Sequence, residues 1–193
     1  METNSDIQNM LRFRDGDARA FTSLFVKYRK KIINYCYRFF SNKEVAEELA
    51  QEVFMKVYKA APGYRPDAAF STWIFRIATN VCLNELRKKR YHSKTDSLDA
   101  PPFDNTGRTT DIEDTTSLPQ DMIESQERDA LVKKAILKLP GKQRAALLLR
   151  TYNGFSYKEI AMQLGSSESG VKSLIFRGRD TLKDTLHDYF KER

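Results

Sequence analysis

Apolar residues recur at steps of three and four along the first part of this chain. Phe21, Leu24, Phe25, Tyr28, Ile32, Tyr35, Cys36 and Phe39 form one stripe, and Ala46, Leu49, Val53 and Val57 form a second. Both patterns predict helices that bury one face. Pro62-Gly63 breaks the pattern, and Pro66 keeps the residues before the next helix extended. Ser71 is placed to cap a third helix running to about Arg90. Strand-like alternation stands out nowhere, so the expected fold is all-α.

Near the other end, SYKEIAMQLGSSESGVKSLIFRGR (Ser156 to Arg179) reads as two short helices broken at LGSS, the second ending in Arg177 and Arg179. Ile160 and Leu164 supply the inner face of the first, with small Ala161 between them. Gly165 can take the positive φ that ends a helix, and Ser166 and Ser167 can cap the restart. Val171, Leu174 and Ile175 form the buried face of the second helix. This is the pattern of a helix-turn-helix. It leaves Ser167, Glu168, Ser169, Lys172, Ser173, Phe176 and Arg177 on the early, outward side, from which a recognition helix reaches base edges and phosphates. Gly170 costs helix stability, and close approach to DNA is one reason for it.

The third helix carries a second polar stripe. Ile74, Ala78, Val81, Cys82 and Glu85 fall on one side, and Trp73, Arg76, Asn80, Asn84 and Arg87 on nearly the opposite one. An aromatic plane, two amides and two guanidinium groups suit single-stranded nucleic acid. Trp73 also fits a plain core position, and the basic end Arg87-Lys88-Lys89-Arg90 fits a solvated helix terminus.

Charge divides the chain further. The 193 residues carry a net +7, but residues 1–92 hold 17 Lys/Arg against 10 Asp/Glu, residues 93–125 hold 2 against 8, and residues 126–193 hold 14 against 8. Residues 93–122, rich in Ser, Thr, Asp and Pro, read as a flexible acidic linker between helical units at 1–92 and 123–193. Cys36 and Cys82 are the only cysteines and His92 and His187 the only histidines; neither pair has metal-ligand spacing, and the thiols are expected to be buried or free in a reducing compartment. No apolar run approaches the ~20 residues that span a bilayer, and METNSDIQNM lacks the features of a signal peptide. A cytoplasmic protein without a cofactor and without direct membrane insertion is expected.

Several motifs carry a family resemblance. AEELAQEVFMKVYKA followed by YRPDAAFSTWIFRIATNVCLNELRKKR resembles region 2 of bacterial sigma factors. LPGKQRAALLLRTYNGFSYKEIAMQLGSSESGVKSLIFRGRDTLK resembles region 4. Without a region 3 domain between them, the chain looks like the extracytoplasmic-function group of the sigma-70 family. The resemblance covers most of the chain outside residues 91–122; F-x-T-W-x-x-x-I-A-x-N and S-Y-x-E-I-A are its most specific parts.

The resemblance implies a promoter-specificity subunit of RNA polymerase, acting at alternative, stress- or signal-responsive promoters and not itself an enzyme. Glu48, Gln51, Glu52 and Phe54 of the E-x-x-Q-E-x-F pattern would bind the clamp helices of the polymerase core; Glu48 stands where many members have Asp. The loop from Gly63 to Ala69, with Tyr64, Arg65, Asp67 and Ala68, would pocket a flipped base of the minus-ten element together with Asn80. The recognition helix would read the minus-thirty-five element as duplex, and the region before it would dock on the polymerase flap. The acidic linker could lie in the RNA path as a polyanion mimic. An anti-sigma factor is a further expected partner.

Two other readings compete. A stand-alone dimeric repressor or activator would use the helix-turn-helix alone, but an all-helical N-terminal half is not the receiver domain of a response regulator. An enzyme such as a nuclease would need an acidic or nucleophilic cluster or a G-x-x-x-x-G-K-[ST] loop, and the sequence offers neither.

Overall fold

The computed structural model describes residues 2–95 and 119–191, with side chains from 4 to 91 and from 129 to 187. The described residues form eight α-helices and no strand: α1 (Glu2–Arg14), α2 (Ala18–Phe40), α3 (Lys43–Ala60), α4 (Phe70–Thr95), α5 (Pro119–Lys138), α6 (Gly141–Thr151), α7 (Tyr157–Leu164) and α8 (Glu168–Lys191). A short 3-10 turn, Ala61–Gly63, ends α3.

Local chemistry sets the boundaries. Asp17 caps α2, its Oδ1 accepting from the Arg19 and Ala20 N–H groups, and Asn42 caps α3 by accepting from Val45 N–H at 2.8 Å. Between them Ser41 takes a left-handed φ of 51°. The third predicted helix begins two residues earlier than a cap at Ser71 implies, since Trp73 N–H already bonds to the Ala69 carbonyl. It also runs beyond Arg90, to Thr95. Ser71 therefore lies inside the first turn and is not its cap.

The stripes of α2, α3 and α4 meet around Leu24, Ile32, Tyr35, Phe39, Val53, Phe70, Ile74 and Ala78. α1, which no strong periodicity announces, is held by a polar anchor. Asp6 is buried and accepts from Tyr28 Oη at 2.7 Å and from Lys27 Nζ at 2.8 Å. Cys36 and Cys82 touch across the α2–α4 contact, with sulfurs 3.7 Å apart and both side chains fully buried.

The helices fall into two groups, α1–α4 and α5–α8, but one hydrophobic core runs through both. The predicted units are packed together. Phe75 of α4 meets Phe155 edge-on at 5.2 Å, Arg38 of α2 lies over Tyr152 at 4.4 Å, and Thr72 Oγ1 donates to Glu159 Oε1 of α7 at 3.3 Å. Of the acidic linker at 93–122, residues 96–118 lie outside the described residues, while α4 and α5 extend into its two ends.

Candidate nucleic-acid interface

The helix-turn-helix is built as its residues predict. Ser156 caps α7 in a reciprocal box: its Oγ accepts from Glu159 N–H at 3.3 Å, and Glu159 Oε2 accepts from Ser156 N–H at 2.8 Å and from its hydroxyl at 2.6 Å. Partial burial opposes the charged form of Glu159, but these bonds and the one from Thr72 outweigh it and hold the carboxyl below its ordinary range. Gly165 closes α7 with φ +57°, and Ser167 Oγ opens α8 by accepting from Gly170 N–H at 3.1 Å. Val171 and Ile175 are buried, and Leu174 is half-buried.

Ser167, Glu168, Ser169, Lys172, Ser173, Phe176 and Arg177 are all exposed. Phe176 leaves 72% of its surface open, an unusual cost for a large ring with no partner of its own. The positive end of the helix dipole sits at this start, together with the carboxylate of Glu168 in the first turn. α8 does not end at Arg179 but continues to Lys191. Gly170 has an explanation within the chain: an added Cβ would meet Ser166 Oγ at 2.6 Å and Ser167 Oγ at 3.2 Å. The serine hydroxyls of the turn thus pack closely against this glycine.

On α4, Arg76, Asn80, Asn84 and Arg87 form one exposed stripe, with Arg87 Nη2 donating to Asn84 Oδ1 at 2.5 Å. Trp73 is only half-buried and stacks edge-on against Tyr64 at 4.9 Å, with Phe70 at 5.7 Å. One face of its ring lies on the core and the rest stands at the head of the stripe. In the adjoining loop Arg65 and Asp67 are exposed and Ala68 half-buried, but Tyr64 is buried beneath them. Burial, with the negative charges of Asp6 and Asp67, pushes the Tyr64 phenol up. Tyr64 is the floor of this loop and not a surface contact.

On α3, Glu48, Gln51 and Glu52 are exposed along one face, while Phe54 packs edge-on against Phe25 at 4.7 Å and is buried. Phe54 thus supports that face from below. Met55 and Tyr58, 53% and 55% exposed, extend it instead. Their stepping of four and three from Gln51 was available in the sequence, but exposed apolar residues look like core until the helix is oriented. A groove lined by Glu52, Lys56, Asn84, Glu85 and Arg87 separates this face from the α4 stripe. Among the described residues no group of three or more His, Cys, Asp or Glu could hold a metal. No described helix is long and apolar enough to cross a membrane.

Comparison with known proteins bears on both faces. Residues 24–91 match Sigma-70 region 2 and residues 129–182 match Sigma-70, region 4. The RNA polymerase sigma-H factor of Pseudomonas aeruginosa is 35% identical over 97% of this chain and 96% of its own length. The ECF RNA polymerase sigma factor SigW of Bacillus subtilis is 35% identical over 91% and 93%. The sigma-E factor of Escherichia coli K12 is 33% identical over 91% of each. Two solved structures share the fold at a TM-score of 0.67: CnrH in complex with the cytosolic domain of CnrY, 20% identical over 95% and 98%, and the sigma factor RpoE in complex with the anti-sigma factor NepR from Bartonella quintana, 22% identical over 88% and 98%.

Proposed function

Since the chain belongs to the extracytoplasmic-function group of the sigma-70 family, it is a promoter-specificity subunit of RNA polymerase, and we propose that it divides promoter recognition between two separate helix faces. The exposed stripe Arg76, Asn80, Asn84 and Arg87, with Trp73 and the Arg65–Ala68 loop, takes unpaired bases of the minus-ten element. The start of α8, from Ser167 to Arg177, takes the minus-thirty-five duplex. Glu48, Gln51 and Glu52, underpinned by Phe54, meet the polymerase clamp helices, and the region before the recognition helix meets the flap. The protein contributes binding and positioning, and the catalysis belongs to the polymerase.

The observation that carries this reading is the presence on one chain of two exposed polar helix faces, each backed by a largely apolar one. A repressor acting through duplex alone has no use for the α4 stripe. An inhibitor of the anti-sigma kind is a further partner, in keeping with the complexes in which the two similar folds were solved. The cytoplasm, where polymerase works, is the corresponding compartment.

The test is reconstitution. Core polymerase mixed with the chain should form a holoenzyme and start transcripts only on templates with a matching minus-ten element. Tight duplex binding without polymerase association would instead establish a repressor.

A further inference from the structure

Charge in the first helix group is sorted by helix. The 23 residues of α2 hold six Lys or Arg and no Asp or Glu, whereas the 18 of α3 hold four Glu. At about 100° per residue, Arg19, Ser23, Lys27, Lys30, Lys31 and Asn34 share one side of α2, along about 22 Å of its axis. Lys27 is engaged within the chain, since Asp6 accepts from its Nζ at 2.8 Å. Lys30 and Lys31 are exposed, and no acid pairs with them among the described residues. Arg29, equally exposed, lies about 160° round the helix from Lys31.

An acid-free stripe fits a polyanion, and its place in the fold says which one. Lys31 Nζ lies 5.5 Å from the centre of the Tyr28 ring. Tyr28 packs edge-on against Phe70 at 5.2 Å, and Phe70 lies 5.7 Å from Trp73. The α2 stripe thus runs beside the start of α4, where the surface assigned to the unpaired minus-ten bases ends. It offers no exposed ring for a base to stack on, so its contacts are with phosphates. A promoter strand must return to duplex on the way to the minus-thirty-five element and stays unpaired only towards the start site.

Resting on the sigma reading above, we propose that Lys30 and Lys31 hold backbone phosphates of the melted strand between the minus-ten element and the start site. The contact is independent of sequence and continues the α4 surface onto α2. A strand held there is kept from re-annealing.

The experiment uses holoenzyme reconstituted with wild type, with Lys30→Ala/Lys31→Ala, and with Arg29→Ala as the control for charge lost off the stripe. All the replaced side chains are exposed and alanine favours helix, so the variants should fold, as circular dichroism checks. The probes are oligonucleotides of the melted strand, from a promoter on which the wild-type holoenzyme initiates. One stops at the minus-ten element, and the others continue to the start site with different sequences. The double variant should bind every extended strand several-fold more weakly than wild type. Its slope of log affinity against log salt should fall by roughly 1.4, about 0.7 for each phosphate on a single strand. Binding to the short strand and to core polymerase should match wild type, and Arg29→Ala should match it throughout.

Unchanged affinity and slope on the extended strands overturn the proposal, as does an equal loss on short and extended strands or an equal loss in Arg29→Ala. Loss of core association in the double variant overturns it too and gives this face to the polymerase. A wild-type chain that forms no initiating holoenzyme overturns the sigma reading, and this assignment with it.

Discussion

Arg144 of α6 donates from Nη1 to the carbonyl oxygen of Phe39, in the last turn of α2, across 2.7 Å. The same guanidinium donates through Nη2 to the carbonyls of Leu137 and Leu139 at the end of α5, and it lies over the Phe39 ring at 5.2 Å. Helix ends leave such carbonyls without intrahelical donors, so one side chain satisfies two ends at once. Burial, and secondarily the positive charge of Arg90, lowers its pKa to about 10. It remains charged at neutral pH in the folded and unfolded chain alike, so its contribution is flat across that range. Removing it by Arg144→Leu should cost about 3 kcal/mol in denaturant melts, as for charge-assisted bonds lost from a buried site. Arg144→Lys should recover less than half, lacking the planar fork. A loss under about 1 kcal/mol would show these bonds to be incidental.

Glu159 makes the start of α7 sensitive to acid. Its folded pKa lies below the ordinary carboxylate value of 4.5. Its contribution is therefore complete above that value and disappears as pH falls through the lower, folded one. Glu159→Gln should cost about 0.5–1 kcal/mol at pH 7, the low end for a helix cap because the group is partly solvated. The gap between variant and wild type should close once the solution is acid enough to protonate the native carboxyl. Parallel stability curves at neutral and acid pH would contradict this.

Lys172 and Arg177 should act on duplex DNA as charges. Each alanine variant should weaken binding to a minus-thirty-five duplex and reduce the slope of log affinity against log salt by roughly one. Lys172 also hovers 5.8 Å from the Tyr157 ring, which positions it without occupying its donors. An unaltered slope in both variants would take these side chains off the phosphates.

Asn80→Ala should reduce open complexes, measured by permanganate reactivity of the melted strand, while holoenzyme formation stays normal. Asn80 is exposed and belongs to no hydrogen-bonded core network among the described residues, so the variant should fold. Loss of polymerase binding instead would move the α4 stripe from the DNA to the polymerase.

The parts of this architecture that sequence reveals are those encoded locally. Apolar steps of three and four located α2, α3 and α4, and the run from Ile160 to Ile175 gave the turn glycine, the cap of the restart and the inner face of the helix-turn-helix, while the Ser156 cap of α7 emerged only with the structure. α1 escaped notice because its anchor is Asp6, a residue type that usually faces water. Phe54 and Tyr64 belong to motifs that suggest contact, yet a neighbouring helix or loop covers them. The docking of the two groups is illegible for a related reason. It turns on Arg144, bonded to Phe39, and on Gly141, where an added Cβ would lie 2.9 Å from Leu86 Cδ2, and each reads as a surface or linker residue until its neighbours are known.

The two cysteine sulfurs lie side by side in the core, where burial keeps the Cys82 thiol protonated well beyond neutral pH. Oxidants act on accessible thiolates, and this pair offers none. The cysteines themselves are therefore no sensor of peroxide, and among the described residues Met55 and Met162 are the sulfur-bearing side chains that an oxidant reaches.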